Sequence, residues 1–376
     1  MRSYSEIKQR VVVPALYDKW FVFAVICIVS LGLLMMTSAS IVISDGQMHQ
    51  PFYFLFKQLI FLTLGVAIGS VVMQVDTRYW EKWSGVLLLF VMLLLALVLI
   101  PGIGHSVNGS ARWIGYGPLS FQVSELTKFM IIVYMAGYLV RHHNFIKPMF
   151  ILSVIAVLLL REPDFGATVV VTATTLGLMF LAGMRLRHFL ALFSLVLGAL
   201  AVIAVSAPYR LLRLTSFLNP WERPFDTGYQ LTQSLIAFGR GGWFGVGLGK
   251  SIQKMFYLPE AHTDFLFAVI AEELGLFGMF VVMGLFLLLV VRIFLMGRMA
   301  HCHHRPYAGF LAYGFGLWMA IQFTVSVGVN SGLLPTKGLT LPLMSYGGSS
   351  VLVNCIVIAV LLRIDHENRM TALGIR

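Results

Sequence analysis

The sequence predicts an all-α polytopic membrane protein of about ten transmembrane helices. Both termini are expected in the cytoplasm, with one large extracytoplasmic loop between spans 7 and 8. Three observations carry this. Of 376 residues, 59% are hydrophobic and 11% charged, and the mean hydropathy is +0.86, far from the mix of a soluble domain. Apolar runs long enough to cross a bilayer recur along the whole chain. Lys and Arg gather in short loops on alternate sides of those runs, the positive-inside pattern. That pattern accounts for the net charge of +11 and argues against a nucleic-acid partner.

Residues 1–19 are polar and basic and are expected as a cytoplasmic tail. The run that follows, Trp20 to Ile43, is longer than the apolar core of a cleavable signal and reads as a first anchor. Further spans are expected at 54–73, 84–101, 121–140, 148–162, 166–183, 188–206, 263–291, 307–329 and 343–362. Residues 20–362 then form a single membrane domain, and 363–376 a cytoplasmic tail. Ten spans place both termini on one side. The loop charges agree, because Arg78 and Lys82, Arg141 and Lys147, Arg185 and Arg187, and Arg292, Arg298 and Arg305 all fall inside.

The loop 207–262 is the one sizeable element outside the spans. Trp221, Phe225, Tyr229, Trp243 and Phe244 make it too aromatic for a disordered linker. A short helix near 227–239 is expected, ended by the glycine cluster 239–249 that contains Arg240 and lying on the membrane or capping a cavity. Within the cluster, "GVGLGKS" (245–251) has the look of a phosphate-binding loop. The full motif needs glycine where Phe244 stands, and no strand precedes it, so a nucleotide site is rejected. "HCHHR" (301–305) has metal-ligand chemistry at a spacing poor for tetrahedral geometry. The three cysteines give no disulfide framework.

Polar residues inside or beside the spans are the informative ones. Glu125 and Lys128 in "SELTK" open the fourth span one turn apart and can pair, as a structural ion pair or as a cavity wall. Arg112 and Trp113 in "NGSARWIGYGPLSFQ" offer a cation and an aromatic surface to an anionic or sugar-bearing headgroup, or simply an interfacial loop. "REPDFG" (161–166) and the Pro- and Gly-rich 330–350 segment with Lys337 are further outer turns. In "LPEAHTDFLFAVIAEELG" (258–275), His262 and Asp264 stand at the outer mouth of the eighth span. Helix capping competes as an explanation for Asp264. It does not explain Glu272, about 12 Å deeper, nor Glu273; both need partners or protonation, and are expected either to shape the cavity floor or to fix the eighth span against its neighbours. The ionisable residues thus cluster at the outer ends of the spans. A transporter would hold its site nearer the midplane, so a one-sided enzyme acting on a lipid headgroup fits better.

These stretches, with "NPWERPFDTGYQLTQSLIAFGRGGWFGVGLG" and "LPTKGLTLPLMSYGGSS", strongly resemble the SEDS family (shape, elongation, division and sporulation) over nearly the whole chain. "SIQKMFYLPEAHTDF" looks more like its cell-division branch than its elongation branch. The resemblance implies a ten-span fold in the bacterial cytoplasmic membrane, at the division septum. It also implies polymerisation of lipid II into β-1,4-linked glycan, with inversion at the anomeric carbon and undecaprenyl pyrophosphate as leaving group. Asp264 maps to the family's essential aspartate and Trp113 to the tryptophan of its ARWI motif. Glu125 and Lys128 are implied to lie near Asp264, in a cavity that takes in Arg112, Arg240, His262, Glu272 and Lys337. The implied partners are lipid II, a class b penicillin-binding protein and other division proteins. No cofactor is implied, though a divalent cation is compatible with a pyrophosphate leaving group. Chemically, a positioned carboxylate can take the proton of a sugar hydroxyl. Lys128 can hold the pyrophosphate and keep Asp264 ionised. A lipid II flippase and a non-catalytic scaffold are the competing functions.

Overall fold

The computed structural model describes residues 17–102, 104–107, 110–115, 120–142, 144–205, 215–336 and 338–374. Its ten long helices match the ten expected spans one for one. They are α1 (Lys19–Met48), α2 (Tyr53–Val72), α3 (Thr77–Val98), α4 (Val123–Arg141), α5 (Ile146–Arg161), α6 (Phe165–Leu181) and α7 (Leu186–Val205), then α9 (Leu266–Cys302), α10 (Pro306–Asn330) and α11 (Gly348–Ala372). Between α7 and α9 lies the short α8 (Tyr229–Gly241), close to the helix expected at 227–239. Seven of the ten, α1 to α4 and α9 to α11, are individually long and apolar enough to cross a membrane. The starts are written into the sequence as caps. Asp18 accepts the N–H groups of Trp20 and Phe21, and Asp164 that of Ala167.

Helix α4 is the axis of the bundle. In its apolar window 83% of residues are buried, against 17% for α2, and α3, α6 and α10 pack around it. Phe56, Ile60 and Val66 on α2 and Leu195, Leu197 and Val202 on α7 stay exposed, as side chains facing lipid do. The central position of α4 is why Glu125 and Lys128, on its first two turns, have to be satisfied inside the protein.

Two features depart from expectation. The stretch between the third and fourth spans was expected as a loop and instead carries, running into the start of the expected fourth span, a small antiparallel sheet of β1 (Gly104–Val107), β2 (Ser110–Ile114) and β3 (Phe121–Gln122), in that order. Gln122 N–H donates to Ser349 Oγ, which ties the sheet to the start of α11. The second concerns the C-terminus. Residues 363–372, expected as a tail, continue α11 and are held into the bundle. Glu367 accepts from Thr77 Oγ1 (2.6 Å) and Arg363 Nε (2.6 Å) and pairs with Arg305; Asp365 pairs with Arg369 at 3.0 Å. A buried acid with several charge-assisted donors is stable where an isolated one is not, so the helix outruns its apolar stretch.

Helix α9 is broken at Gly275 (φ 67, ψ −164). At the break, the carbonyls of Glu272 and Glu273 accept N–H groups from Val246 and Gly247, while Leu276 and Phe277 N–H donate to the carbonyls of Gly242 and Trp243. The glycine-rich segment therefore repairs the broken helix ladder, as irregular backbone beside a membrane must. A β-carbon at 275 meets the left-handed φ and collides with Gly245 N. Gly275→Ala is expected to cost at least about 1–3 kcal/mol, read as an earlier melt in detergent. An unchanged melt would exclude this docking of the loop on α9.

Candidate active site

Asp264 sits in the turn that precedes α9. Asn330, fully buried at the end of α10, fixes that turn. Its Nδ2 donates to Asp264 O (2.9 Å) and Ser326 O (2.8 Å), and its Oδ1 accepts from Ala268 N–H (3.1 Å). The Asp264 carboxylate itself receives no hydrogen bond among the described residues. It keeps part of its surface open, yet protein surrounds it on the other sides. Burial, reinforced by Glu260 and opposed by Arg112, pushes its pKa up to about 7. Gly338 passes flush against it, and a β-carbon there would collide with Asp264 Oδ2. On its other side, Gly338 borders Gly166 at the start of α6. The HTDF turn, the REPDFG turn and the 338–341 segment thus meet at one place.

Arg112 reaches the same place from β2. Its Nε donates to Glu162 O (3.2 Å) and an Nη to Pro163 O (2.7 Å), and it lies 3.9 Å from Asp164 Oδ2. Asp164 also accepts from Ser124 Oγ at 2.9 Å, so the REPDFG turn is clamped between β2 and α4. Glu162 is fully buried, with both carboxylate oxygens unpartnered among the described residues. Burial and the neighbouring Asp164, against the pull of Arg112, push its pKa up to about 8. Trp113 is half-buried on the same strand, opposite Gln122. Arg112 beside it is the extra residue of a β-bulge, since His105 pairs with Trp113 and Ser106 with Ala111.

Lys128 does not reach Asp264. Its Nζ bonds Glu125 Oε1 (2.8 Å) and Gln322 Oε1 (2.9 Å) and lies 5.1 Å from the centre of the Trp318 ring. With 2% of its side chain exposed, it is a buried ion pair at the axis of the bundle. Among the described residues the cation acting on Asp264 is Arg112 and not Lys128, which was expected to keep Asp264 ionised. Gln322 completes the arrangement by donating to Thr340 O (2.9 Å). No spacing in the sequence joins Gln322 to a residue 194 positions away.

Glu272 and Glu273 also stand apart from the cleft. Glu272 accepts from Ser251 Oγ, from Ile252 and Gln253 N–H (3.1 and 3.3 Å) and from Arg240 (2.7 Å). Glu273 accepts from Ser38 Oγ (2.8 Å) and Lys254 Nζ (2.7 Å). The two acids bolt segment 240–254 to α9 and α1, the structural one of the two roles expected for them. Arg240 is one of the bolts. His262, expected at the mouth, is buried between Phe54 (ring centres 4.7 Å apart) and Tyr346 (5.6 Å), and burial lowers its pKa. Its carbonyl accepts Tyr346 N–H at 3.0 Å, so it packs the 341–347 segment against the HTDF turn. Lys337 lies outside the described residues. The described residues contain no group of three or more His, Cys, Asp or Glu able to hold a metal ion.

Comparison with known proteins agrees with this architecture. The family model described as cell cycle protein, covering FtsW, RodA and SpoVE, matches residues 19–370. The chain is 56% identical over 370 residues to the probable peptidoglycan glycosyltransferase FtsW of Legionella pneumophila, covering 96% of this chain and 94% of that protein. It is 55% identical to the protein of that name from Coxiella burnetii, covering 93% and 96%. Among solved structures, a chain of a peptidoglycan synthase complex that coordinates polymerization and crosslinking superposes with a TM-score of 0.78 at 30% identity, covering 94% and 98%. The rod shape determining protein RodA of Thermus thermophilus superposes with 0.70 at 29% identity, covering 94% and 97%. A bundle of ten helices with these outer motifs, matched from end to end, belongs to the FtsW/RodA/SpoVE family of cell cycle proteins, the SEDS family.

Proposed function

We propose that the protein is a peptidoglycan glycosyltransferase of the cell-division branch that polymerises lipid II, with Asp264 as general base. The observation that carries the assignment is the unpartnered Asp264 carboxylate in the outer cleft, with its pKa pushed up to about 7. A base is most effective when its pKa lies near the working pH. The acceptor sugar hydroxyl donates its proton to Asp264 as its oxygen attacks the anomeric carbon of the donor. The bond from that carbon to the undecaprenyl pyrophosphate breaks on the opposite face, which inverts the centre and leaves a β-1,4 link. Asp264 then loses the proton to water. Arg112, with 28% of its side chain exposed, is the cation placed to meet the leaving pyrophosphate. Glu125 and Lys128 brace α4, His262 packs against Phe54 and Tyr346, and Arg240 and Glu272 fasten segment 240–254 to α9.

The partner chemistry follows the peptidoglycan synthase complex that the fold matches. A class b penicillin-binding protein would crosslink the strands, and the pair would act at the septum with the Asp264 end outside the cytoplasmic membrane. The test is the purified protein with its transpeptidase and labelled lipid II in detergent. Glycan strands are expected. Headgroup translocation in liposomes without strands would mean a flippase, and neither product a scaffold.

The pH dependence has a definite sign. Below pH 7 Asp264 is protonated and cannot accept a proton, so kcat/KM for lipid II rises with pH through about 7. Removing the Arg112 charge removes what favours the carboxylate, so Arg112→Ala moves that limb to higher pH. A limb at the ordinary carboxylate value, or one that Arg112→Ala leaves in place, would reject this assignment.

A further inference from the structure

The end of the bundle remote from Asp264 holds a cavity of about 330 Å³ that the proposed reaction does not use. Helix α9 separates the two, since its 37 residues span about 55 Å. Among the described residues the cavity is lined by Arg292, Arg298, Arg369, His303 and a single carboxylate, Asp18. That carboxylate is already engaged. Its Oδ1 caps α1 and its Oδ2 takes Arg292 Nε at 2.8 Å. Arg369 is paired with Asp365. Arg298 and His303 have no side-chain hydrogen bond or ion pair among the described residues, so the site carries a surplus of positive charge. The N-terminus of α1 also points its dipole here and offsets the opposing C-terminal end of α9.

The apolar side of the cavity says what kind of anion fits. Leu295 and Met299 line it, and they are the last members of a stripe on α9. Leu287, Val291, Leu295 and Met299 recur every four residues, and each is between 38% and 65% exposed. Side chains four apart share a helix face, so the stripe runs about 18 Å along the lipid-facing side of α9 and ends beneath Arg298. A free phosphate has no use for such a stripe, whereas an acyl chain lies along it. We propose that this cavity binds the phosphate headgroup of an anionic glycerophospholipid, held by Arg298 and His303, with its acyl chain on the Leu287–Met299 stripe. Basic pockets between helices on the cytoplasmic side commonly take such headgroups.

Native mass spectrometry of the full chain tests this after exchange into detergent with phosphatidylglycerol or phosphatidylcholine. Retention of phosphatidylglycerol over phosphatidylcholine is expected. Arg298→Ala, at an exposed site, should lower it about fivefold for one lost juxtamembrane charge, and adding His303→Ala should lower it further. Arg141→Ala removes an exposed cation from the same end outside the cavity and should leave it within twofold. Inorganic phosphate in place of lipid is not expected to be retained. Equal retention of the two lipids, equal loss in Arg298→Ala and Arg141→Ala, or retention of phosphate alone would each overturn the proposal.

Discussion

Asp264→Asn is expected to lower lipid II polymerisation by about 10²–10⁴-fold, the range a positioned general base contributes, without unfolding the protein. The fold does not need this carboxylate, which accepts no hydrogen bond among the described residues. The turn that carries it hangs on its backbone carbonyl, held by Asn330 Nδ2 at 2.9 Å. Asparagine has the same shape and cannot take the proton. The assay is strand length and lipid II consumption by the purified protein with its transpeptidase, with thermal melting as the control. Activity within tenfold of the parent would remove Asp264 from the reaction. Gly338→Ala supplies an independent route to the same atom. Its new β-carbon collides with Asp264 Oδ2, so it should cut activity with the carboxylate still present.

The largest loss of stability is expected from Glu273→Ala. Lys254 has 2% of its side chain exposed and Glu273 none. Removing the acid strands a buried ammonium beside Ser38 Oγ alone. Breaking a buried pair from one side costs about 3–5 kcal/mol, whereas replacing both partners with apolar residues of similar size is often neutral. Glu273→Leu with Lys254→Met should therefore melt closer to the parent than Glu273→Ala does. If the double substitution is as damaging as the single one, the loss reflects packing of segment 240–254 rather than an unpaired charge.

Much of this was legible in one dimension. Apolar runs spaced along the chain, with Lys and Arg alternating between loops, gave the number of helices, because a bilayer imposes the same length on every span. The helix ends were less legible, since α9 and α11 outrun their apolar stretches on ion pairs such as Arg363–Glu367 and Arg369–Asp365. The β1–β2–β3 sheet was missed because its strands are two to five residues long and carry no alternation to detect. Asp264 stood out as an acid at the mouth of a greasy helix. Its support Asn330 did not, and neither did Gln322 beside Lys128, both being amides in another helix with nothing in their spacing to mark them.

The sequence by itself determined that this chain crosses a membrane about ten times, and it singled out Asp264 as an acid at the mouth of a greasy helix. Those properties follow from hydropathy and chemical type, which each residue carries wherever it is placed. Only the tertiary structure decided which charges meet. It gave Lys128 to Glu125 and Gln322, Arg240 to Glu272, and Lys254 to Glu273, and among the described residues left Arg112 as the cation acting on Asp264. Ion pairing depends on distances of a few ångströms between residues far apart in the chain, and helix packing alone sets those distances.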